Sequence, residues 1–282
     1  MKENKIIKAV IPAAGLGTRL YPISRVIPKE MFPIGNRSVI EYIILEGILS
    51  GCTKFCIIIS KGKEVIKDYL TYFADEKFFD LDLGDQFKRP EFEFVYQDKP
   101  TGLGDAMLLA REFTGEDTFA ILLPDNLFPD YPPATGQMID AYFKYGCSIL
   151  GTSEISEEHE AMFEGSGRFE YEKHGDESEL KITRIYDKSM KLAKSSKGER
   201  FKYRGRGRYI LTSSIYEHLE LKRPNNPEDY DEISAVRSLL GEEMMIAKII
   251  QGRTFDTGTA SGYKHAIYNM GEPLTNVNFY KK

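Results

Sequence analysis

Short apolar runs alternate with amphipathic stretches through the first half of the chain. Continuous apolar runs bounded by turn residues predict buried strands, and apolar positions three or four residues apart predict helices. The predicted strands are residues 6–13, 55–60, 92–97 and 118–123, and the predicted helices between them are residues 39–50, 65–73 and 103–113. This alternation predicts a mostly parallel sheet with helices on both faces.

The second half of the chain is richer in strands. Strands are predicted at residues 149–155, 168–173, 181–186, 201–211 and 244–249, with charged links at 174–179 and 191–200, and helices at 213–219, 231–240 and 261–270. No internal repeat and no break in composition marks a second domain. We therefore expect one α/β domain with a strand-rich insertion and a helical C-terminal part.

A glycine-containing turn follows the first predicted strand. The segment Gly15-Leu16-Gly17-Thr18-Arg19 exposes several backbone N–H groups, and Arg19 and Lys29 add positive charge, so the turn is suited to an oligophosphate. The segment fits neither common phosphate motif. Thr18-Arg19 stands where a P-loop needs Lys-Ser or Lys-Thr, and Leu20 stands at the third glycine of the dinucleotide fingerprint. A tight strand-to-helix turn without a ligand is the alternative.

Composition and charge narrow the class of protein. The 282 residues are 41% hydrophobic and 29% charged, which is typical of a globular protein with a substantial core. A net charge of -5 argues against a nucleic-acid partner and favours a small anion. Three cysteines without a C-x-x-C pair predict reduced, buried thiols. The sequence shows neither a signal-like segment nor a membrane-spanning run, so we expect a cytoplasmic protein with no membrane partner.

Polar residues stand at the ends of three predicted strands. Asp125 and Asp256 each follow an apolar segment, and two carboxylates at the carboxyl edge of a sheet suit Mg²⁺, although an Asp that caps a turn is the alternative for each. Gln97 precedes Gly102, and its amide matches the imide edge of uracil or thymine; a solvated strand end is the alternative. Lys188 is either a phosphate-binding ammonium or surface charge.

Together these segments resemble the sugar-1-phosphate nucleotidylyltransferases, and within them most closely the bacterial UTP–glucose-1-phosphate uridylyltransferases. The matching segments follow the family order and span nearly the whole chain: residues 13–19, 28–31, Gln97 with 102–104, 123–125, 207–209, 231–233 and 255–258 with 262–263. Residues 20–22, with Asn126 and Phe128, also resemble the related glucose-1-phosphate thymidylyltransferases.

The resemblance implies a Rossmann-like three-layer α/β/α fold with a mixed, mostly parallel sheet and a strand-rich sugar-binding insertion. It implies one domain over residues 1–282, in which 1–130 bind the nucleotide, 131–230 bind the sugar phosphate, and 231–282 supply the second metal ligand and C-terminal helices. The implied reaction transfers UMP from UTP to glucose-1-phosphate by in-line displacement and releases pyrophosphate. Mg²⁺ is the implied cofactor, and a homodimer or homotetramer is the implied assembly.

The resemblance also implies roles for individual residues. Arg19 would stabilise the departing pyrophosphate, Lys29 the α-phosphate and Lys188 the sugar phosphate, while Asp125 and Asp256 would bind Mg²⁺. The implied nucleotide-binding residues are Ala13, Ala14, Gly15, Leu16, Gly17, Thr18, Glu30, Gln97 and Gly102, and the implied sugar-binding residues are Gly167, Asp187 and Lys188.

The residues that differ from the family pattern are those expected near the sugar. Asp187-Lys188-Ser189 replaces the family's Glu-Lys-Pro, and the shorter carboxylate reaches less far. Arg168 is either an outward-facing strand residue or a contact to an acidic or modified sugar. Three functions stay open: a glucose-1-phosphate uridylyltransferase, a thymidylyltransferase or uridylyltransferase for another sugar-1-phosphate, and a catalytically weak regulatory relative.

Overall fold

A nine-stranded mixed sheet runs through the part of the chain that the computed structural model describes, residues 6–75, 87–154, 167–187 and 202–270. The elements in chain order are β1 (Lys8–Pro12), β2 (Pro33–Ile34), β3 (Arg37–Ser38), α1 (Val39–Leu49), β4 (Lys54–Ile59), α2 (Glu64–Phe73), β5 (Glu91–Tyr96), α3 (Leu103–Leu109), α4 (Arg111–Thr114), β6 (Phe119–Leu122), β7 (Asn126–Leu127), α5 (Ala134–Tyr145), β8 (Ser148–Glu154), β9 (Arg168–Lys173), β10 (Glu179–Tyr186), β11 (Tyr203–Leu211), α6 (Ile215–Lys222), α7 (Ile233–Leu240), β12 (Met245–Ile249), β13 (Phe255–Asp256) and α8 (Ala260–Asn269).

The strand order of the large sheet is β5-β4-β1-β6-β11-β8-β12-β10-β9. The strands β5, β4, β1 and β6 pair in parallel, as do β8 and β12. Only β10 and β11 are antiparallel to their neighbours on both sides, so seven of the nine strands point the same way. The predicted mixed, mostly parallel α/β sheet is therefore confirmed.

Two apolar cores cover the two faces of the sheet. Successive residues of β1 alternate between them, because Ala9 and Ile11 belong to one core and Val10 belongs to the other. The first core includes buried residues of α1, α2 and α5, and the second includes those of α3, α6 and α7. The result is the expected arrangement of three layers, and the three cysteines are buried and unpaired within it.

Most predicted elements have the predicted type, but two regions differ. The single helix expected at residues 103–113 is two helices, because the chain tightens at Ala110, whose N–H donates to the carbonyl of Met107 three residues earlier. Helix α5 was not predicted, since Thr135 and Gly136 interrupt its apolar pattern. The predicted link at residues 191–200 and the residue Lys188 lie outside the described residues.

The parallel strands place three loops at one edge of the sheet. Strands β1, β5 and β6 end there, so the segments that follow them meet. The short pair β7–β13 lies beside this edge and aligns Asn126 with Asp256. No helix in the described ranges has the length and apolarity needed to cross a bilayer.

Candidate active site

A cavity of about 560 Å³ opens where the loops after β1, β5 and β6 meet. Its volume falls in the usual range for small-molecule sites. The structure brings most of the predicted site residues to its wall, namely Ala14, Gly15, Leu16, Gly17, Thr18, Arg19, Lys29, Gln97, Gly102 and Asp125. The predicted convergence of the glycine turn, the Gln97 loop and the Asp125 turn is therefore present in the fold.

An ion pair occupies the charged end of this cavity. Lys29 Nζ donates to Asp125 Oδ2 at 2.8 Å, and both side chains are largely buried. Burial alone would lower the pKa of Lys29, but the carboxylates of Asp125 and Glu30 outweigh it and raise that pKa. Burial alone would raise the pKa of Asp125, but Lys29 and Arg19 hold it below its ordinary value. Asp125 is therefore an anion and Lys29 a cation over a wide pH range.

Asp256 and Arg19 converge on the same point. A Cβ at Gly258 would lie 3.0 Å from Asp125 Oδ2 and 3.1 Å from both Asp256 Oδ1 and Arg19 Nη2. The neighbouring backbone fixes this arrangement, since the N–H of Thr257 donates to the Asp125 carbonyl at 2.7 Å. A side chain at position 258 would therefore crowd these three groups.

The two carboxylates form a donor set that suits a divalent cation. Burial, and then the negative charge of Asp125, raise the pKa of Asp256 above its ordinary value. A cation between the carboxylates would remove this repulsion. No group of three or more His, Cys, Asp or Glu side chains is arranged to hold a metal in the described ranges. Asp125 and Asp256 would each offer an oxygen ligand, and water or a phosphate could complete the coordination, as is common for Mg²⁺.

The opposite end of the cavity is built around Gln97. Its side chain is buried, and its amide Nε2 donates to the carbonyl of Gly102 at 3.2 Å and approaches Thr101 Oγ1 at 3.4 Å. The segment that follows is held against Tyr230, whose N–H donates to Thr101 O at 2.7 Å and whose carbonyl accepts from Gly104 at 2.8 Å. The amide of Gln97 is thus held at a fixed place on the cavity wall.

Gly102 is expected to tolerate no side chain. Its φ is +105°, and a Cβ there would lie 2.3 Å from the Tyr230 carbonyl oxygen. We expect Gly102→Ala to lower the free energy of unfolding by about 2 kcal/mol or more, because backbone strain and a backbone clash add. Gly115→Ala is the matched control, since Gly115 also has a positive φ of +56° but has open space around it. Thermal unfolding of both variants checks this, and equal losses would contradict it.

Lys63, which is not among the predicted site residues, contacts the carbonyl groups of the glycine turn. Its buried Nζ donates to Ala13 O at 2.6 Å, to Gly15 O at 2.7 Å and to Glu30 Oε2 at 2.9 Å. Ala13 and Glu30 are fully buried and do not line the cavity, so Glu30 acts on the turn through Lys63. No local sequence signal identifies Lys63, because its partners lie on other segments.

Arg208 holds the Asp125 turn in a similar way. This fully buried guanidinium donates to the carbonyls of Leu123 at 2.9 Å and Asn126 at 2.6 Å, which flank Asp125. Glu46 neutralises it, with Arg208 Nη2 to Glu46 Oε2 at 2.7 Å. Arg208 stands in the family-like segment 207–209, whereas no sequence signal marks Glu46.

Gly167 and Asp187, two of the three predicted sugar-binding residues, are not among the residues that line this cavity. The carbonyl of Gly167 accepts from the N–H of Gly205 at 3.1 Å, and Arg168 is half-buried at the start of β9. Asp187 Oδ1 accepts from Arg237 Nη2 at 2.6 Å, and its side chain is 62% exposed. Lys188 lies outside the described residues. The sugar-binding roles of these residues stay predictions.

Comparisons with known proteins give the family. The family model described as nucleotidyl transferase matches residues 8–272. A UTP–glucose-1-phosphate uridylyltransferase from Mycoplasma genitalium is 32% identical over 295 residues, which cover 99% of this chain and 96% of that relative. A crystal structure of UDP-glucose pyrophosphorylase complexed with UDP-glucose superposes with a TM-score of 0.80 at 29% identity, covering 94% of this chain and 98% of the other.

A second solved structure, a UTP-bound UGPase from Acinetobacter baumannii, has a TM-score of 0.77 at 29% identity and covers 98% of each chain. These similarities extend over both halves of the sheet, and they agree with the resemblance that the sequence motifs indicate. The chain therefore belongs to the nucleotidyl transferase family.

Proposed function

We propose that this protein is a UTP–glucose-1-phosphate uridylyltransferase, which transfers UMP from UTP to glucose-1-phosphate and releases pyrophosphate. The observation that carries the proposal is the convergence of Arg19, Lys29, Asp125 and Asp256 at one end of a cavity whose other end holds the Gln97 amide. The names of the relatives support UTP and glucose-1-phosphate as the substrates.

The reaction needs charge neutralisation and positioning more than proton transfer. An oxygen of the sugar phosphate would attack the α-phosphorus of UTP opposite the pyrophosphate, and this oxygen is ionised at neutral pH, so no general base is required. Lys29 would neutralise the α-phosphate. Arg19 and the backbone N–H groups of the glycine turn would stabilise the negative charge of the departing pyrophosphate.

Asp125 and Asp256 would hold Mg²⁺ between them. A bound Mg²⁺ supplies charge neutralisation for the phosphate oxygens. The donor chemistry fits, since both residues offer hard oxygen ligands at one point beside Gly258. Lys29 donates to Asp125 Oδ2, so its ammonium would lie beside one of the residues that would hold the metal.

Gln97 and Gly102 would recognise the pyrimidine. The amide of Gln97 can pair with the imide edge of uracil, and Gly102 lines the cavity beside it. We propose that Gly167, Asp187 and Lys188 bind the sugar phosphate, as the resemblance implies. Residues 1–130 would then serve the nucleotide and residues 131–230 the sugar phosphate.

A substrate panel tests the proposal. Pyrophosphate release is measured for UTP, dTTP, CTP, GTP and ATP, each with glucose-1-phosphate and with other sugar-1-phosphates. We expect UTP with glucose-1-phosphate to give the highest kcat/KM, and we expect excess chelator to abolish turnover until Mg²⁺ is restored. A preference for dTTP or for another sugar-1-phosphate would assign the protein to a different member of the family. Binding of UTP without turnover of any pair would overturn the enzymatic proposal and favour a regulatory relative.

A further inference from the structure

We propose that Lys63 is a positioning residue that turns the backbone N–H groups of the glycine turn toward the phosphates of the nucleotide. The inference rests on the proposed function, because it concerns the same triphosphate. It starts from three hydrogen bonds of one buried ammonium, to Ala13 O, Gly15 O and Glu30 Oε2. An ammonium has three donors, so these bonds use all of them.

The geometry of the peptide bond links these bonds to the cavity. In a trans peptide the C=O of one residue and the N–H of the next point in opposite directions. The peptides that join Ala13 to Ala14 and Gly15 to Leu16 are trans. Because Lys63 draws the carbonyls of Ala13 and Gly15 toward itself, the N–H groups of Ala14 and Leu16 must point away from it.

Those two N–H groups are on the side of the cavity. Ala14 and Leu16 both line it, whereas Lys63 is buried and does not. In the described ranges neither N–H donates to a backbone carbonyl, although the N–H of Ala13 donates to Ile58 O as a continuation of the sheet. The N–H groups of Ala14 and Leu16 are therefore available to bind an anion in the cavity.

Ser24 makes a similar hydrogen bond to the next alternate carbonyl of the turn, that of Gly17. Its Oγ donates to the carbonyl of Gly17 at 2.8 Å, and the N–H of Leu20 donates to the same carbonyl at 2.9 Å, so the following N–H, that of Thr18, points away from both donors. Thr18 also lines the cavity. Alternate peptides of the turn are therefore oriented by side chains beneath it, and the three N–H groups of Ala14, Leu16 and Thr18 form one set.

Glu30 is the counter-ion of Lys63. Its side chain is fully buried, and only Oε2 is bonded, while Oε1 has no hydrogen-bond partner in the part of the chain that the structure describes. Lys63 therefore offsets part of the cost of burying this carboxylate. Removing Lys63 alone would leave an unpaired buried charge, so the test also needs variants that avoid this.

The test compares a ligand with phosphates and a ligand without them. UTP is titrated by calorimetry, and uridine is measured as a competitive inhibitor, for the wild type, Lys63→Met, Glu30→Gln/Lys63→Met and Ser24→Ala. We expect the two Lys63 variants to bind UTP about 10- to 100-fold more weakly and Ser24→Ala about 3- to 10-fold more weakly, since charge-assisted hydrogen bonds to phosphate lose their alignment. Uridine affinity is expected to change less than about 2-fold, because the base end is untouched.

Lys61→Met is the matched control, because Lys61 is an exposed lysine two residues away. A purely structural role for Lys63 would weaken UTP and uridine together, and that result would overturn the inference. If Lys63→Met does not fold, the double variant and Ser24→Ala carry the same comparison. If the wild type fails to release pyrophosphate from UTP with glucose-1-phosphate, the proposed function fails. If it succeeds and the variants keep the wild-type ratio of UTP to uridine affinity, only the role of Lys63 fails.

Discussion

Replacing Asp125 with asparagine is expected to lower kcat by about 10³-fold or more. Asparagine has nearly the same size, so the turn can keep its shape, but it lacks the negative charge that a divalent cation needs. The same change removes the counter-ion of the largely buried Lys29. Loss of one such electrostatic contact typically raises a barrier by several kcal/mol, and each factor of ten in rate is about 1.4 kcal/mol.

The measurement is pyrophosphate release from UTP and glucose-1-phosphate over a range of Mg²⁺ concentrations. The Mg²⁺ concentration that gives half-maximal turnover should rise together with the fall in kcat. Asp140→Asn is the matched control, because Asp140 is an exposed residue of α5 and does not line the cavity. Turnover of Asp125→Asn within tenfold of the wild type would contradict a role in binding the metal.

Much of the fold could be predicted because the chain marks its buried strands locally. Strand β1 is a continuous apolar run that ends at small residues, and helix α1 begins at a serine whose side chain accepts from the N–H of Glu41. Helix α5 could not be predicted in this way. Its Thr135 and Gly136 are poor helix formers, and the helix forms because its apolar side packs on the sheet and Thr135 bonds Glu46.

The candidate site likewise contains residues that could be predicted from the sequence and residues that could not. The glycine turn and Asp125 could be predicted because each follows a strand, and strand ends meet at one edge of a parallel sheet, whereas Asp256 reaches this edge on the short antiparallel pair β7–β13. Lys63 could not, because the loop carbonyls it bonds lie 48 and 50 residues away in the chain and become its neighbours only in the folded sheet. Glu46 could not be predicted for the same reason, because it meets Arg208 only in the folded protein, 162 residues along the chain.

The second large effect is expected at Glu46, which lies 162 residues from its partner Arg208. Glu46→Leu should lower the free energy of unfolding by about 3–5 kcal/mol, because it leaves a fully buried guanidinium without a counter-ion. Two hydrogen bonds from Thr135 to Glu46 Oε1 are lost as well. Thermal unfolding should show a fall in the midpoint of roughly 10 °C. Glu217→Leu, at an exposed position of α6, should change stability by less than about 0.5 kcal/mol.

The double variant Glu46→Leu/Arg208→Met separates stability from function at this pair. Two apolar side chains can replace a buried ion pair at little cost in stability, so the double variant should be more stable than Glu46→Leu. It should still turn over more slowly than the wild type, because the carbonyls of Leu123 and Asn126 lose the guanidinium that fixes the Asp125 turn. Restored stability with wild-type kcat and wild-type Mg²⁺ dependence would show that Arg208 serves the core alone. Restored stability with a lower kcat and a higher Mg²⁺ concentration for half-maximal turnover would show that the buried pair positions the metal ligand.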